Sequence, residues 1–130
     1  MSHTDTIHAA YDAWSRRDVE DLLEFAHPDA EARPILGANV GTDVYRGHEG
    51  LRDWFRDLHQ EWEAFETRVV AMEERGDRVL CTIRIQARGR ASGVVIDGEL
   101  YHVVDLRDGL IARLLAFRDR QAALEALEAT

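Results

Sequence analysis

Apolar residues near the start of the chain recur at intervals of three and four, which predicts a helix. Either Thr4 or Asp5 can cap this helix, and it runs to Ser15. Its apolar stripe consists of Ile7, Ala10, Tyr11 and Trp14. Such a stripe is typical of a helix that packs one side against a core.

Two more helices are predicted in the first half of the chain. Asp18 caps a short second helix that Pro28 ends, and its apolar residues are Val19, Leu22, Leu23, Phe25 and Ala26. Residues 30–36 then alternate weakly and lead into a polar loop at 37–42, which we interpret as a pocket rim. Residues 47–50 open the third helix, whose stripe is Leu51, Trp54, Phe55, Leu58 and Trp62.

From Glu66 onward the apolar period changes to two, which is typical of β-strands. Gly76-Asp77 and Asp108-Gly109 are two-residue hairpin turns, so this half of the chain is an antiparallel meander. The strands are predicted at about 66–74, 78–89, 94–106 and 110–118. After the last strand, Asp119 caps a final helix.

The Asp108-Gly109 turn sets the pairing of the last two strands, because a two-residue hairpin fixes the register. It pairs Val104 with Arg113 and His102 with Leu115. His102 and Arg113 then lie on one otherwise apolar face, roughly 7–8 Å apart at the backbone. This spacing puts both side chains within reach of one ligand.

The opposite face of the same hairpin is also apolar, so both faces have to be covered. The helices cover one face, and a second subunit is the natural cover for the other. We therefore predict a homodimer formed through Tyr101, Val103, Leu114 and Ala116.

The earlier hairpin differs, because only one of its faces is apolar. The Gly76-Asp77 turn pairs Val70 with Ile83 and Met72 with Cys81 on that face. The reverse face carries Thr82, Arg84, Gln86 and Arg88. A solvated or subunit-facing polar surface is the favoured interpretation, and a substrate-binding row of arginines is the alternative.

Composition narrows the class of protein. A length of 130 residues predicts one domain, 1–130. The net charge of -9 disfavours nucleic acid and anionic membranes as partners, and no export signal or membrane span is predicted.

All sixteen basic residues are arginine, which excludes a Schiff-base lysine. Cys81 is the only cysteine, which excludes an intrachain disulfide and fits a cytoplasmic protein.

Several short motifs occur in an order that resembles a known family. They are Trp14 with Arg17-Asp18, Phe25-Ala26-His27-Pro28-Asp29, Tyr45-Arg46-Gly47-His48-Glu49-Gly50, Asp108-Gly109 and Asp119. Together they resemble the SnoaL-like polyketide cyclase group of the nuclear transport factor two-like superfamily, which includes ketosteroid isomerase, scytalone dehydratase and limonene epoxide hydrolase. The resemblance implies an α+β cone, in which a curved antiparallel sheet wraps around three N-terminal helices and leaves a deep apolar pocket. It also implies a homodimer.

The same resemblance locates the catalytic positions of the relatives on this chain. The aspartate base of ketosteroid isomerase falls near Pro34, its tyrosine near Ala10 and its protonated aspartate near His102. The acid/base aspartate of SnoaL-type cyclases falls near Ala116, and their histidine coincides with His102. Each catalytic set is therefore incomplete here.

His102 and Arg113 are the candidate catalytic residues. A partly desolvated imidazole can move a proton beside a carbonyl, and a guanidinium can stabilise the resulting oxyanion. The alternative for His102 is a core histidine bonded to a tyrosine or a backbone carbonyl. The alternative for Arg113 is an ion pair with Glu99, Asp97 or another carboxylate.

A wider set of residues is predicted to form the substrate pocket, with plain core packing as the alternative. That set is Trp14, Tyr45, Trp54, Phe55, Leu115, Phe117 and Asp119. Asp119 is explained most simply as a helix cap. His8 with Asp12 and His59 with Glu63 offer only two ligands per helix surface, so neither a metal nor another cofactor is expected.

The sequence therefore predicts a cytoplasmic protein that binds a small apolar, carbonyl-bearing metabolite. A cofactor-free isomerase, cyclase or dehydratase fits the proton-carrying His102 on an apolar face. A non-catalytic ligand-binding or protein-interaction module of the same fold is the alternative, favoured by the absence of carboxylates at Pro34 and Ala116.

Overall fold

A computed structural model describes residues 2–34 and 44–129 of the chain, so the predicted rim at 37–42 lies outside the described residues. Two helices, two short strands and a third helix form the first half of the chain, and a four-stranded meander followed by a helix forms the second. In order they are α1 (His3–Ser15), α2 (Val19–Leu23), β1 (Ala26–Arg33), β2 (Tyr45–Arg46), α3 (Gly47–Glu61), β3 (Trp62–Arg75), β4 (Arg78–Gly89), β5 (Val95–Arg107), β6 (Leu110–Phe117) and α4 (Arg120–Glu128).

The first two helices begin at side-chain caps. Ser2, rather than Thr4 or Asp5, caps α1 by accepting a hydrogen bond from the backbone N–H of Asp5 at 3.1 Å. Asp18 caps α2 as predicted, but α2 ends at Leu23. The predicted continuation through Phe25 and Ala26 is wrong, because Ala26 opens a strand instead.

The strands form one curved, mixed six-stranded sheet in the order β2-β1-β6-β5-β4-β3. The meander of β3 to β6 is antiparallel, whereas β1 runs parallel to β6. Pro28 fits into β1 because the β1–β6 register is irregular between Ala26 and Glu31. The fold is therefore α+β, with α1 and α3 packed on the inner face of the sheet.

A β-bulge changes the predicted register of β5 and β6. Next to the turn, Leu106 pairs with Ile111 as predicted. The register then shifts by one residue, so that Asp105 pairs with Arg113 and His102 with Ala116. The predicted pairs Val104 with Arg113 and His102 with Leu115 are wrong. A one-residue shift moves every side chain beyond it to the other face of β6.

The β3–β4 hairpin also contains a bulge. Met72 pairs with Cys81 as predicted, but Val69 takes the predicted place of Val70 opposite Ile83. Val70 is instead 44% exposed. On the polar reverse face, Arg84 binds Asp97 on the neighbouring strand.

The outer face of the sheet is covered in part by α4, which Asp119 caps as predicted. A buried outer cluster forms there from Leu80, Val103, Ala123 and Leu127, with Tyr101 and Phe117 packed against it. Of the residues predicted for a dimer interface, Val103 therefore belongs to this cluster and Tyr101 packs against it. The other two, Leu114 and Ala116, lie on the inner face because of the bulge.

Candidate functional site

A cavity of about 90 Å³ lies between the inner face of the sheet and the helices α1 and α3. Its wall is mostly aliphatic and aromatic, with contributions from α1, α3 and five of the strands. The aromatic and polar residues in this wall are Tyr11, Trp14, Glu31, Trp54, Phe65, Thr67 and His102. An apolar cavity with a few converging polar groups is the usual form of a small-molecule site.

Tyr11 and His102 meet in the wall of the cavity. Tyr11 belongs to the buried side of α1, and His102 lies on the inner face of β5 between Leu100 and Val104. The hydroxyl of Tyr11 is hydrogen-bonded to Nδ1 of His102, and the two rings are stacked with centroids 5.8 Å apart. We call these two residues the Tyr11–His102 pair.

Burial holds both members of the pair in their neutral forms at pH 7. It lowers the pKa of His102 to about 4. Burial, followed by the nearby Cys81, raises the pKa of Tyr11 well above its usual value. Cys81 faces His102 on the adjacent strand, and burial raises its thiol pKa to about 12.

A neutral Tyr–His pair always keeps one hydrogen available after its internal bond is made. If Tyr11 donates to Nδ1, the imidazole carries its proton on Nε2. If Nδ1–H donates to the tyrosine oxygen, the Tyr11 hydroxyl is the remaining donor and Nε2 is a base. Both arrangements can donate a hydrogen bond to a carbonyl oxygen in the cavity.

Two other residues of the wall each contain a buried polar atom that has no hydrogen-bond partner within the described part of the chain. These atoms are Nε1 of Trp54 and Oγ1 of Thr67. Trp54 packs against Trp14 with ring centroids 4.8 Å apart. The wall residues with polar side-chain atoms belong to α1, α3, β1, β3 and β5.

The profile of the SnoaL-like domain family matches residues 7–114, which include every residue of the cavity wall except Ala116. The chain belongs to the SnoaL-like domain family. No curated protein matches its sequence.

Solved structures of other proteins share the fold of this SnoaL-like protein. TerC, co-crystallised with polyporic acid, is 24% identical over 98% of both chains, with a TM-score of 0.79. An NTF2-like protein of unknown function from Burkholderia pseudomallei is 19% identical over 99% of this chain and 100% of its own, with a TM-score of 0.80. A proposed SnoaL-like polyketide cyclase from Jannaschia is 19% identical over 98% of this chain and 92% of its own, with a TM-score of 0.74.

The cavity of this SnoaL-like protein contains the positions at which the superfamily resemblance places catalytic groups. Ala10, Pro34, His102 and Ala116 all lie in its wall. Two of these positions, Pro34 and Ala116, hold no carboxylate. Tyr11, which the sequence analysis treated only as part of an apolar stripe, lies one residue after Ala10 and supplies a phenol.

The predicted partnership of His102 and Arg113 is not present. Arg113 pairs with Asp105, an odd number of residues from His102, so the two side chains lie on opposite faces of the sheet. Nε of Arg113 is 3.8 Å from the Glu31 carboxylate. This ion pair corresponds to the alternative given for Arg113, with Glu31 in the place of Glu99 or Asp97.

Among the predicted pocket residues, Trp14 and Trp54 lie in the cavity wall and the others do not. Tyr45 donates a hydrogen bond to Asp57 at 2.9 Å, and burial together with this bond raises its pKa to about 12. Phe55 packs edge-on against Trp14. Leu115, Phe117 and Asp119 are on the outer side, since the bulge turns the first two outward and Asp119 caps α4.

The residues predicted as weak metal candidates have other contacts. Asp12 forms an ion pair with Arg16 at 3.0 Å, and Nδ1 of His59 donates to the carbonyl of Phe55. Glu63 lies in β3, so it does not share a helix surface with His59. Within residues 2–34 and 44–129, no three His, Cys, Asp or Glu side chains come together. None of the helices in these ranges is long and apolar enough to cross a membrane.

Proposed function

We propose that this SnoaL-like protein binds an uncharged apolar metabolite in its cavity and transfers a proton at a carbonyl of that ligand. The Tyr11–His102 pair is the observation that carries this proposal, because it brings a donor and a base together in an apolar wall. Arg113 takes no part, since it lies on the other face. Isomerisation, cyclisation and dehydration all include such a step.

The chemistry follows from the neutral state of the pair. A donor aimed at a carbonyl oxygen stabilises the negative charge that develops when a neighbouring C–H bond loses its proton. With Nδ1–H bonded to Tyr11, the free Nε2 of His102 accepts that proton. A pKa of about 4 makes His102 a weak base, so proton removal also requires the hydrogen bond that stabilises the oxygen of the enolate.

Hydrogen exchange tests the proposal without knowledge of the natural substrate. Cyclohexanone is a suitable probe, because it is uncharged and carries α-hydrogens beside a carbonyl. We expect the protein to accelerate exchange of the α-hydrogens of cyclohexanone in D₂O, followed by NMR. His102→Ala should remove the acceleration, whereas Arg113→Ala should retain it.

The second candidate function is a non-catalytic ligand-binding or interaction module. The absence of carboxylates at Pro34 and Ala116 favours it. Binding of cyclohexanone with no accelerated exchange would select ligand binding without catalysis. A cavity that binds no small molecule would direct the search to protein partners.

A homodimer in the cytoplasm remains part of the proposal. Leu114 and Ala116 lie on the inner face, so a second subunit would not pack on them. It would pack instead on the outer face that α4 leaves open, which carries Arg84, Gln86 and Arg88. Light scattering at micromolar concentration tests the dimer, and a monomer would contradict it. Cell fractionation tests the location.

A further inference from the structure

A group of charged side chains crosses the outer face of the sheet near its β2 edge. Directly paired residues of neighbouring strands point to the same face, and Glu31 pairs with both Arg46 and Arg113. Ala30 and Ala32 are buried toward the cavity, so the alternation along β1 turns the Glu31 side chain outward. The charged group therefore lies on the other side of the sheet from the cavity.

Three arginines share the Glu31 carboxylate. Nε of Arg33 and Nε of Arg113 are both 3.8 Å from its Oε1, and Nε of Arg46 is 3.8 Å from its Oε2. We call Arg33, Arg46 and Arg113 the arginine triad. Because a guanidinium is always charged, the triad and Glu31 together leave a local charge of about +2, in a chain whose net charge is -9.

The neighbouring carboxylate does not balance this excess. Asp105 pairs with Arg113 across β5 and β6, but its Oδ1 is 3.1 Å from Nε of Arg78. Nη1 of Arg78 also donates to the carbonyl of Ala126 at 3.0 Å, which ties this arginine to the end of α4. The excess positive charge stays with the arginine triad.

The contacts between the triad and Glu31 are longer than hydrogen bonds. Such bonds join nitrogen and oxygen atoms about 2.7–3.2 Å apart, and the three Nε atoms are 3.8 Å from the carboxylate. Arg52 on α3 has the opposite arrangement. Its Nε and Nη2 donate to the two oxygens of Glu20 at 2.8 and 3.0 Å, and Glu49 lies 3.5 Å away. Carboxylates thus saturate Arg52, whereas the triad has donors left for a ligand.

The triad is accessible to solvent. The side chains of Arg33, Arg46 and Arg113 are 48%, 71% and 43% exposed. Nε of Arg113 is itself buried and has no hydrogen-bond partner in the described residues, so this side chain meets a ligand through its Nη atoms. Guanidinium groups present pairs of N–H donors that match the oxygens of a phosphate, and an excess of two positive charges matches a dianion.

We propose that the arginine triad is a binding site for a doubly charged oxyanion, such as the phosphate group of a phosphorylated metabolite. Leu115 pairs with Arg33 and is partly exposed on the same face, so it offers an apolar contact to a group attached to the phosphate. The site is separate from the cavity. The inference therefore does not depend on the proposed proton transfer.

Inorganic phosphate at pH 8, where it is mainly a dianion, tests the site in the unmodified protein. In ¹⁵N-labelled protein, phosphate should shift the Nε–H signal of Arg113 with a saturable dependence on concentration. Acetate and chloride at the same ionic strength should shift it less, because they carry one charge. The Nε–H signal of Arg52 should not respond. Equal responses to all three anions would show ionic screening only and would overturn the inference.

Matched variants test the same point by affinity. Arg46→Gln and Arg113→Gln should each weaken phosphate binding about 3- to 10-fold, since each removes one charge and its donors. Arg52→Gln removes an arginine that carboxylates already saturate, so it should leave the affinity unchanged. If all three variants bind phosphate as the unmodified protein does, the triad is not the site. The signal shift decides the question even if a variant fails to fold.

Phenyl phosphate distinguishes two sources of the oxyanion. Tighter binding of phenyl phosphate than of inorganic phosphate would support a phosphorylated apolar metabolite, and Leu115→Ala should then reduce the difference. Equal affinities would support a site for free phosphate. If neither compound binds, the inference is wrong. Hydrogen exchange of cyclohexanone reports on the cavity alone, so the proposed function stands or falls separately.

Discussion

Both faces of the β5–β6 hairpin carry mostly apolar side chains, yet these side chains pack differently on the two faces. The outer face joins α4 in the outer cluster, where Leu80 and Val103 are almost fully buried. The inner face borders a cavity, and the Tyr11–His102 pair lies in its wall. Apolar composition therefore does not distinguish a structural face from a ligand-binding face. Buried polar atoms do, because they need partners.

The largest expected effect concerns the outer cluster. Leu80→Ala removes a fully buried side chain beneath α4, so we expect a loss of about 2–5 kcal/mol in the free energy of unfolding, measured by urea denaturation. Cyclohexanone binding should be unchanged. Leu51→Ala, at a buried position in the cavity wall, should lower stability and also change binding. Equal effects of both variants on binding would remove the distinction between the faces.

The pH dependence of stability tests the inner face. The pKa of His102 is lowered from 6.5 to about 4 on folding, so between these values the unfolded chain binds more protons. Stability should therefore fall as the pH drops from about 6.5 to 4, by up to about 3 kcal/mol from this group. The glutamine side chain in His102→Gln cannot titrate. The unfolding free energy of this variant should therefore fall less between pH 6.5 and pH 4. Parallel curves for the two proteins would contradict the buried, neutral histidine.

Removal of a tyrosine hydroxyl from the inner side and from the outer side of the sheet should give a smaller difference in unfolding free energy. Tyr11→Phe leaves Nδ1 of His102 buried without its partner, so we expect a loss of about 1–3 kcal/mol in unfolding free energy. Tyr101→Phe, beside the outer cluster, should change it by less than about 0.5 kcal/mol. Chemical denaturation at pH 7.5 measures both, and similar losses for the two variants would argue against the pair.

The smallest effect is expected at Asp119, which the sequence analysis named both as a helix cap and as a pocket candidate. Asp119→Ala removes the carboxylate that accepts from the N–H groups of Gln121 and Ala122, at a cost of about 1 kcal/mol. Asp119→Asn should retain most of the stability. Thermal unfolding measures the difference, and any change in cyclohexanone affinity would show that Asp119 reaches the cavity after all.

Much of the fold could be predicted from local patterns. The cap at Asp18, the hairpin turn at Asp108-Gly109 and the amphipathic stripe of α3 are each visible within a few residues. The structure has all three, except that Trp62 of the predicted stripe begins β3. Asp108 and Gly109 both adopt the left-handed backbone conformation, with φ of 56° and 76°, which this tight turn requires. The resemblance to the SnoaL-like group also predicted the α+β architecture.

The composition of the candidate site was less predictable, because it depends on a bulge. Beyond Arg113, β6 continues with Leu114, Leu115, Ala116 and Phe117, so every residue is apolar and none marks which face is inside. The predicted register and the observed register, which differ by one residue, therefore both place apolar side chains of β6 on the inner face. It placed Arg113 beside His102 when the structure places them on opposite faces.

The sequence by itself determined most of the helices, the strands of the meander, its turns and His102 as a proton-carrying group on an apolar strand, because those depend on short-range spacing. Only the tertiary structure decided that Tyr11, far away in the chain, completes the pair with His102, and that α4 covers Tyr101 and Val103. Contacts of this kind depend on the exact register of the strands and on where the helices pack against the sheet. The local pattern of apolar residues does not determine either.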